Sequence, residues 1–141
     1  MPGIFIFLFI LMGLSACSQV QPEPWKPQQL MAPASLAALI QSNSPQKPLI
    51  LGIGFGAPIK GSIDVGASNN ADNLKKLKTL LEKEKRDRAI VLYCGCCPFR
   101  NCPNIRPAFS LLNSMGFTKH QLLNLATNVK VDWIDKGYPV K

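Results

Sequence analysis

Four cysteines fall within nine residues, in the run Cys94-Gly95-Cys96-Cys97-Pro98-Phe99-Arg100-Asn101-Cys102, and a fifth, Cys17, stands apart near the N-terminus. Thiols at this density support four kinds of chemistry. One thiolate can act as a nucleophile on an electrophilic sulfur, activated by nearby N–H dipoles and cations that stabilise its charge. Cys94 to Cys97 forms a C-x-x-C pair suited to thiol–disulfide exchange. Crowded thiolates also suit Cu(I) or Zn(II), although zinc usually takes its ligands from two separated pairs and this chain has a single cluster. In an oxidising compartment, Cys97–Cys102 or Cys96–Cys102 would make a disulfide staple, whereas a bridge between adjacent Cys96 and Cys97 would be strained.

The elements around the cluster favour the first kind. Ala89-Ile-Val-Leu-Tyr93 is a compact apolar run that reads as a buried strand. Ile105, Ala108, Phe109, Leu112 and Met115 follow helical spacing, and Gly116 is placed to end that helix. The cysteines therefore occupy a strand-to-helix loop, and in open parallel sheets ligands bind beyond the carboxyl ends of strands. Backbone N–H groups of such a loop, with the N-terminus of the next helix, lower a thiol's pKa and hold oxyanions. Gly95, Cys96, Cys97 and Phe99 are the expected anion-binding positions, with Arg100 and Arg106 as local cations.

The rest of the chain bounds the problem. Its 141 residues suffice for one ordinary domain, and 47% hydrophobic content supplies a core. A two-domain dehydrogenase, a kinase or a full barrel would not fit, and a single histidine leaves little scope for His-based triads or His-rich metal sites. The net charge of +8 is spread thinly: residues 72–88 carry seven basic and four acidic side chains, without a polybasic block or interleaved aromatics. Nucleic acid is therefore not an expected partner. Residues 4–14 form an apolar run too short to span a bilayer but of signal-peptide size, ending in Leu14-Ser15-Ala16-Cys17. That ending looks like a bacterial lipobox, with Cys17 as the lipidated residue. The expectation is a signal at 1–16 and a Pro/Gln-rich tether at 17–33, whose Trp25 and Leu30 could pack back on the domain although nothing in the sequence requires it, then a domain at 34–141, exported and lipid-anchored so that it faces the periplasm or cell exterior. Within that domain, Ser35 to Ile40 predicts a capped helix, Leu49 to Ile53 a strand, and residues 71–86 an amphipathic helix with Ala71, Leu74, Leu77 and Leu81 inward. Gln121 to Leu125 predicts a third strand, and residues 129–136 a last short helix stopped by Gly137. The spaced glycines Gly52, Gly54 and Gly56 predict a tight loop rather than a dinucleotide fingerprint, because no helix opens after them. His120 is expected exposed in a loop. The alternation of strand and helix predicts an α/β fold with a parallel central sheet flanked by helices.

Over residues 34–141 the chain resembles the single-domain rhodanese-like proteins of a periplasmic lipoprotein-like branch. The resemblance rests on the strand Pro48-Leu-Ile-Leu51, the turn Ile59-Lys-Gly-Ser-Ile63, the strand Ile90-Val-Leu-Tyr-Cys94, and the helix end Leu111-Leu-Asn-Ser-Met-Gly-Phe117. Leu122-Leu-Asn-Leu125 and the terminal Trp133 with Gly137-Tyr-Pro-Val140 complete it. It implies a sulfurtransferase without cofactor or bound metal, in which Cys94 accepts a sulfane sulfur from thiosulfate or a related anionic donor. The persulfide then passes to cyanide, a thiol or a protein acceptor. Cys97 is the second candidate nucleophile, and Cys96, Cys97 and Cys102 are candidate resolving or disulfide-forming residues. The chain departs from the family pattern in three places: Gly52-Ile-Gly54 replaces Asp-Val-Arg, the active-site loop is longer, and no Arg closes it near Asn104. The alternatives are a thiol redox or soft-metal module built on the same four cysteines, and a non-catalytic domain of the same fold.

Overall fold

A computed structural model describes residues 22–141. The predicted signal and Cys17 lie outside the described residues, and among these no helix is long and apolar enough to cross a membrane.

Five short strands form one sheet: β1 (Leu30–Met31), β2 (Leu49–Gly52), β3 (Ser62–Asp64), β4 (Ile90–Tyr93) and β5 (His120–Leu123). Their order is β1-β5-β4-β2-β3 and every pairing is parallel. Three α-helices connect them: α1 (Pro33–Gln41), α2 (Ala71–Glu82) and α3 (Ile105–Ser114). Parallel strands need such crossovers, which cover both faces of the sheet and require both faces to be apolar. The side-chain period of two sorts the strand residues accordingly. Leu51, Ile90, Leu92 and Leu122 pack with Leu77 and Leu81 of α2 and with Ile105, Ala108, Phe109 and Leu112 of α3. Ile50, Val91, Tyr93 and Leu123 face the other way, onto Leu36 and Ala37 of α1 and onto Trp133. The α/β class with helices flanking a parallel sheet is as expected from the sequence.

Local chemistry sets the helix limits. Asn70 caps α2, its Oδ1 accepting from the N–H groups of Asp72 at 2.9 Å and Asn73 at 3.2 Å. Gly116, at φ 78°, ends α3 while the Phe117 N–H donates to the Leu112 carbonyl. The first helix begins earlier than Ser35, at Pro33, where a missing N–H costs nothing in the first turn. The second stops at Glu82 rather than near Arg86, and its buried stripe is narrower than expected: Leu77 and Leu81 are buried, Leu74 partly so, and Ala71 exposed. The last helical stretch, Lys130–Ile134, is a single wide turn with i→i+5 bonding.

Two expectations need correcting, and one strand is not foreseen. The segment 17–33 is not simply a tether ahead of a domain at 34: Leu30 and Met31 pair with Leu122 and Leu123 as the edge strand β1. Trp25, only 5% exposed, sits edge-on between Phe99 at 6.0 Å and Phe109 at 5.9 Å. Packing of Trp25 and Leu30 is open from the sequence, but the strand is not, because an edge strand of two residues has no periodicity to detect. His120 is not an exposed loop residue but the first residue of β5, 4% exposed. Its ring lies 4.6 Å from that of Phe109 and its Nε2 is 2.7 Å from Asn113 Oδ1, while burial pushes its pKa down. Finally, β3 follows the glycine loop, in a stretch too short for sequence patterning to declare.

Trp25 is the test of the boundary. Trp25→Ala is expected to lower stability by about 3–5 kcal/mol, as for other buried aromatics, read as a fall in the urea midpoint at unchanged slope. A loss below about 0.5 kcal/mol, the range of ordinary surface substitutions, would mean that the segment before β1 is dispensable to the fold.

Candidate functional site

The chain leaves β2 toward β3 on one side of the sheet and leaves β4 toward β5 on the other. Beyond the carboxyl ends of β2 and β4 the two exits diverge, and such a switch point is where an open α/β sheet provides a crevice. The strand register pairs Gly52 with Tyr93, which brings Gly54 beside Cys94.

Cys94 continues the alternation of Ile90 and Leu92, so its side chain enters the face covered by α2 and α3, and the residue is 1% exposed. Its sulfur fills the space above Gly54, where an added Cβ would come within 2.6 Å of it. The sulfur also receives Asn104 Nδ2 at 3.5 Å. Asn104 stands directly before α3, a position where an Asn normally caps the helix, yet its side chain makes no cap bond. It reaches instead to Cys94 and, through Oδ1, to the Asn69 N–H at 3.1 Å, while the Ser68 hydroxyl donates to its carbonyl. The loop between β3 and α2 and the loop after β4 are thereby joined around the thiol.

All four loop sulfurs lie within 4.8 Å of one another. Cys96 Sγ is 3.4 Å from Cys94 Sγ and 3.1 Å from Cys97 Sγ. The cysteines are free thiols; Cys94 and Cys102 are buried, Cys97 is partly covered, and Cys96 is open to solvent. Hydrogen bonding between them, more than burial, divides the electrostatics of Cys94 and Cys102. Donation from the Cys102 thiol, outweighing the opposing effect of burial, holds Cys94 down to about 5, helped by the Cys96 backbone N–H and the Asn104 amide. Cys102, as the donating partner, is pushed up by Cys94 and by burial. Cys96 is pushed up to about 12, first by desolvation and then by its thiol neighbours. Cys94 is thus the member held as thiolate at neutral pH.

The expected anion-binding residues separate on inspection. The Cys96 backbone N–H helps to hold the Cys94 pKa down. Gly95 is packed so closely on Val129 that an added Cβ would lie 2.8 Å from its Cγ1, and its carbonyl accepts the Val129 N–H. Phe99 offers no free amide: its N–H donates to the Leu125 carbonyl, and its ring is buried against Trp25. Arg100 and Arg106 do not close over the cysteines. Arg100 pairs with Glu23 and lies over the Phe99 ring; Arg106 donates to the Pro22 carbonyl at 3.1 Å and lies over Trp25. Arg100 fastens the N-terminal segment to the loop and Arg106 fastens it to the first turn of α3, destinations that are hard to see while that segment reads as a tether. Gly54 and Asn104 are the site residues that sequence reasoning missed. The available signals were a glycine two residues past a strand end and an Asn ahead of a helix, and both have commoner explanations.

No family model matches the chain, and no curated protein matches it. The fold is similar to that of a solved structure of a protein from Lactobacillus plantarum, with a TM-score of 0.60 and 20% identity over 81% of this chain and 88% of the other. That likeness extends to the α/β fold and no further.

Two substitutions probe the contacts on Cys94. Gly54→Ala forces a Cβ into the sulfur and is expected to cost about 1–3 kcal/mol, as overpacking does; a stability change within about 0.5 kcal/mol would show that the close approach is not required. Asn104→Ala removes a donor to the thiolate, so the pH midpoint of Cys94 alkylation should move upward from about 5. An unmoved or lowered midpoint would remove Asn104 from the site.

Proposed function

We propose that the protein is a rhodanese-like sulfurtransferase in which Cys94 accepts a sulfane sulfur and hands it to a thiophilic acceptor. One observation carries the reading: the Cys94 sulfur lies at the switch-point end of β4 and receives Asn104 Nδ2 at 3.5 Å, with the Cys96 backbone N–H also lowering its pKa. Those donors stabilise a thiolate before the reaction and a persulfide anion after it, so the same pocket serves both charged states. With thiosulfate as donor, the Cys94 thiolate attacks the outer sulfur. A bond forms between Sγ and that sulfur, the S–S bond of thiosulfate breaks, and sulfite departs with the bonding electron pair. Cyanide or a thiol then attacks the outer sulfur of the persulfide and Cys94 leaves as thiolate, so no external oxidant or reductant is needed. The departing sulfite is anionic, and the chain's excess of 16 basic over 8 acidic residues does nothing to oppose an anionic donor. The Leu14-Ser-Ala-Cys17 motif extends the proposal to place: a domain held by lipid at a bacterial membrane, outside the cytoplasm, where a protein acceptor would be met at the surface.

Intact-mass analysis after treatment with thiosulfate tests this directly. The expected result is one added sulfur atom in the parent protein and in Cys97→Ser, none in Cys94→Ser, and thiocyanate on addition of cyanide. Loading that survives Cys94→Ser but is lost in Cys97→Ser would move the nucleophile to Cys97. A parent protein that takes up no sulfur would sink the reading.

A further inference from the structure

Sulfur acceptance needs one thiol, and the loop holds four. The other three are not dispersed around the nucleophile but converge with it, all four Sγ atoms lying within 4.8 Å of one another. A tetrahedral thiolate site with metal–sulfur bonds of about 2.3 Å has sulfur–sulfur edges of about 3.8 Å. The contacts of 3.1 and 3.4 Å and the 4.8 Å limit bracket that edge, so a central cation is reached by small side-chain rotations. The donor set is sulfur alone, with no carboxylate or imidazole in the cluster. Such a set selects soft, closed-shell cations over Mg2+ or Ca2+. A backing group is also in place. Asn104 Nδ2 donates to the Cys94 sulfur at 3.5 Å. Amide donors of this kind orient thiolate ligands and spread their charge. Burial of Cys94 and Cys102 encloses the position on the protein side, and Cys96 leaves it an entry from solvent.

We propose that Cys94, Cys96, Cys97 and Cys102 together bind one soft thiophilic cation of the Zn2+ or Cu(I) class, and that the bound cation and a persulfide on Cys94 exclude one another. Binding rests on the geometry of the four sulfurs alone; the exclusion rests on the sulfur-acceptance reading. A cation at the centre uses the Cys94 lone pair that attack on a donor requires. A sulfur added to Cys94 in turn occupies the space where the cation would sit. The departure from a single-cysteine loop then has a consequence: exposure to thiophilic metal turns sulfur transfer off, and chelation restores it.

The test uses the full chain, reduced and stripped of metal, titrated with Zn2+ against a chromophoric chelator and, anaerobically, with Cu(I). One cation per chain is expected, and Co2+ substitution should give thiolate charge-transfer bands with the d–d spectrum of a tetrahedral site. Cys96→Ser, at an exposed position, should keep the circular dichroism spectrum and weaken binding by more than about 100-fold, exceeding the roughly 10–100-fold effect of losing an outer-shell contact. Cys17→Ser should change nothing. Failure to retain either cation stoichiometrically, or retention unaffected by Cys96→Ser and Cys102→Ser, overturns the site. Protein loaded with Zn2+ that still gains a sulfur at Cys94 overturns the exclusion. If the cation binds but metal-free protein takes up no sulfur, the site stands and the sulfurtransferase reading fails.

Discussion

The Cys94 sulfur needs a place where no side chain competes for its volume and where N–H donors meet its charge. Both conditions come from one geometric fact, the parallel pairing of β2 with β4 at a register that sets Gly54 opposite the sulfur. A chain with any Cβ at position 54 would push the thiol away or part the two strands. Asn104, which donates to that sulfur, also ties the loop of Ser68 and Asn69, between β3 and α2, to the head of α3. Packing at β2, hydrogen bonding at the head of α3 and the ionisation of Cys94 are therefore a single constraint seen from three sides.

The N-terminal segment acts on the same loop from outside. Trp25 packs against Phe99, which lies in the cysteine loop, and against Phe109 of α3, while Glu23 and the Pro22 carbonyl take the two arginines. Exposed ion pairs contribute little by themselves, on the order of 0–1 kcal/mol. Burial of the aromatic rings stabilises the contact more, and the arginines add orientation. An arginine over an aromatic face gains from the ring's negative quadrupole as well as from its hydrogen bonds. The cysteine loop is thus braced on one side by the sheet and on the other by a segment that composition alone assigns to a linker.

Legibility follows the length scale of the signal. The strand β4 (Ile90–Tyr93) and the helix α3 (Ile105–Ser114) are readable because burial on a full apolar face writes a pattern into many residues, and they place the cysteines in a strand-to-helix loop. The edge strand Leu30–Met31 and the short β3 are not, since two or three residues cannot display a period of two convincingly. His120 misleads for a related reason: next to Lys119 it looks exposed, but the pleat turns it inward against Phe109 and Asn113. Arg100 and Arg106 mislead through proximity in sequence. A long flexible side chain next to a loop is no guide to the direction in which it points, and both turn toward Glu23, Pro22 and Trp25.

By itself the sequence determined the α/β class, the loop that carries the thiols, and Cys94 as the thiol at a strand end. These are consequences of local order along the chain: hydrophobic period, glycine stops, and the position of cysteines between two elements. Only the tertiary structure decided which groups surround that thiol. Gly54, Asn104, Ser68 and Trp25 lie 10 to 69 residues away along the chain, and they meet Cys94 and its loop only because the crossovers of a parallel sheet bring distant segments to one end of it. The convergence of four sulfurs within 4.8 Å was likewise decided in three dimensions. Spacing in a nine-residue loop permits sulfurs to point apart, and it is the fold of residues 94–102 between β4 and α3 that points them together.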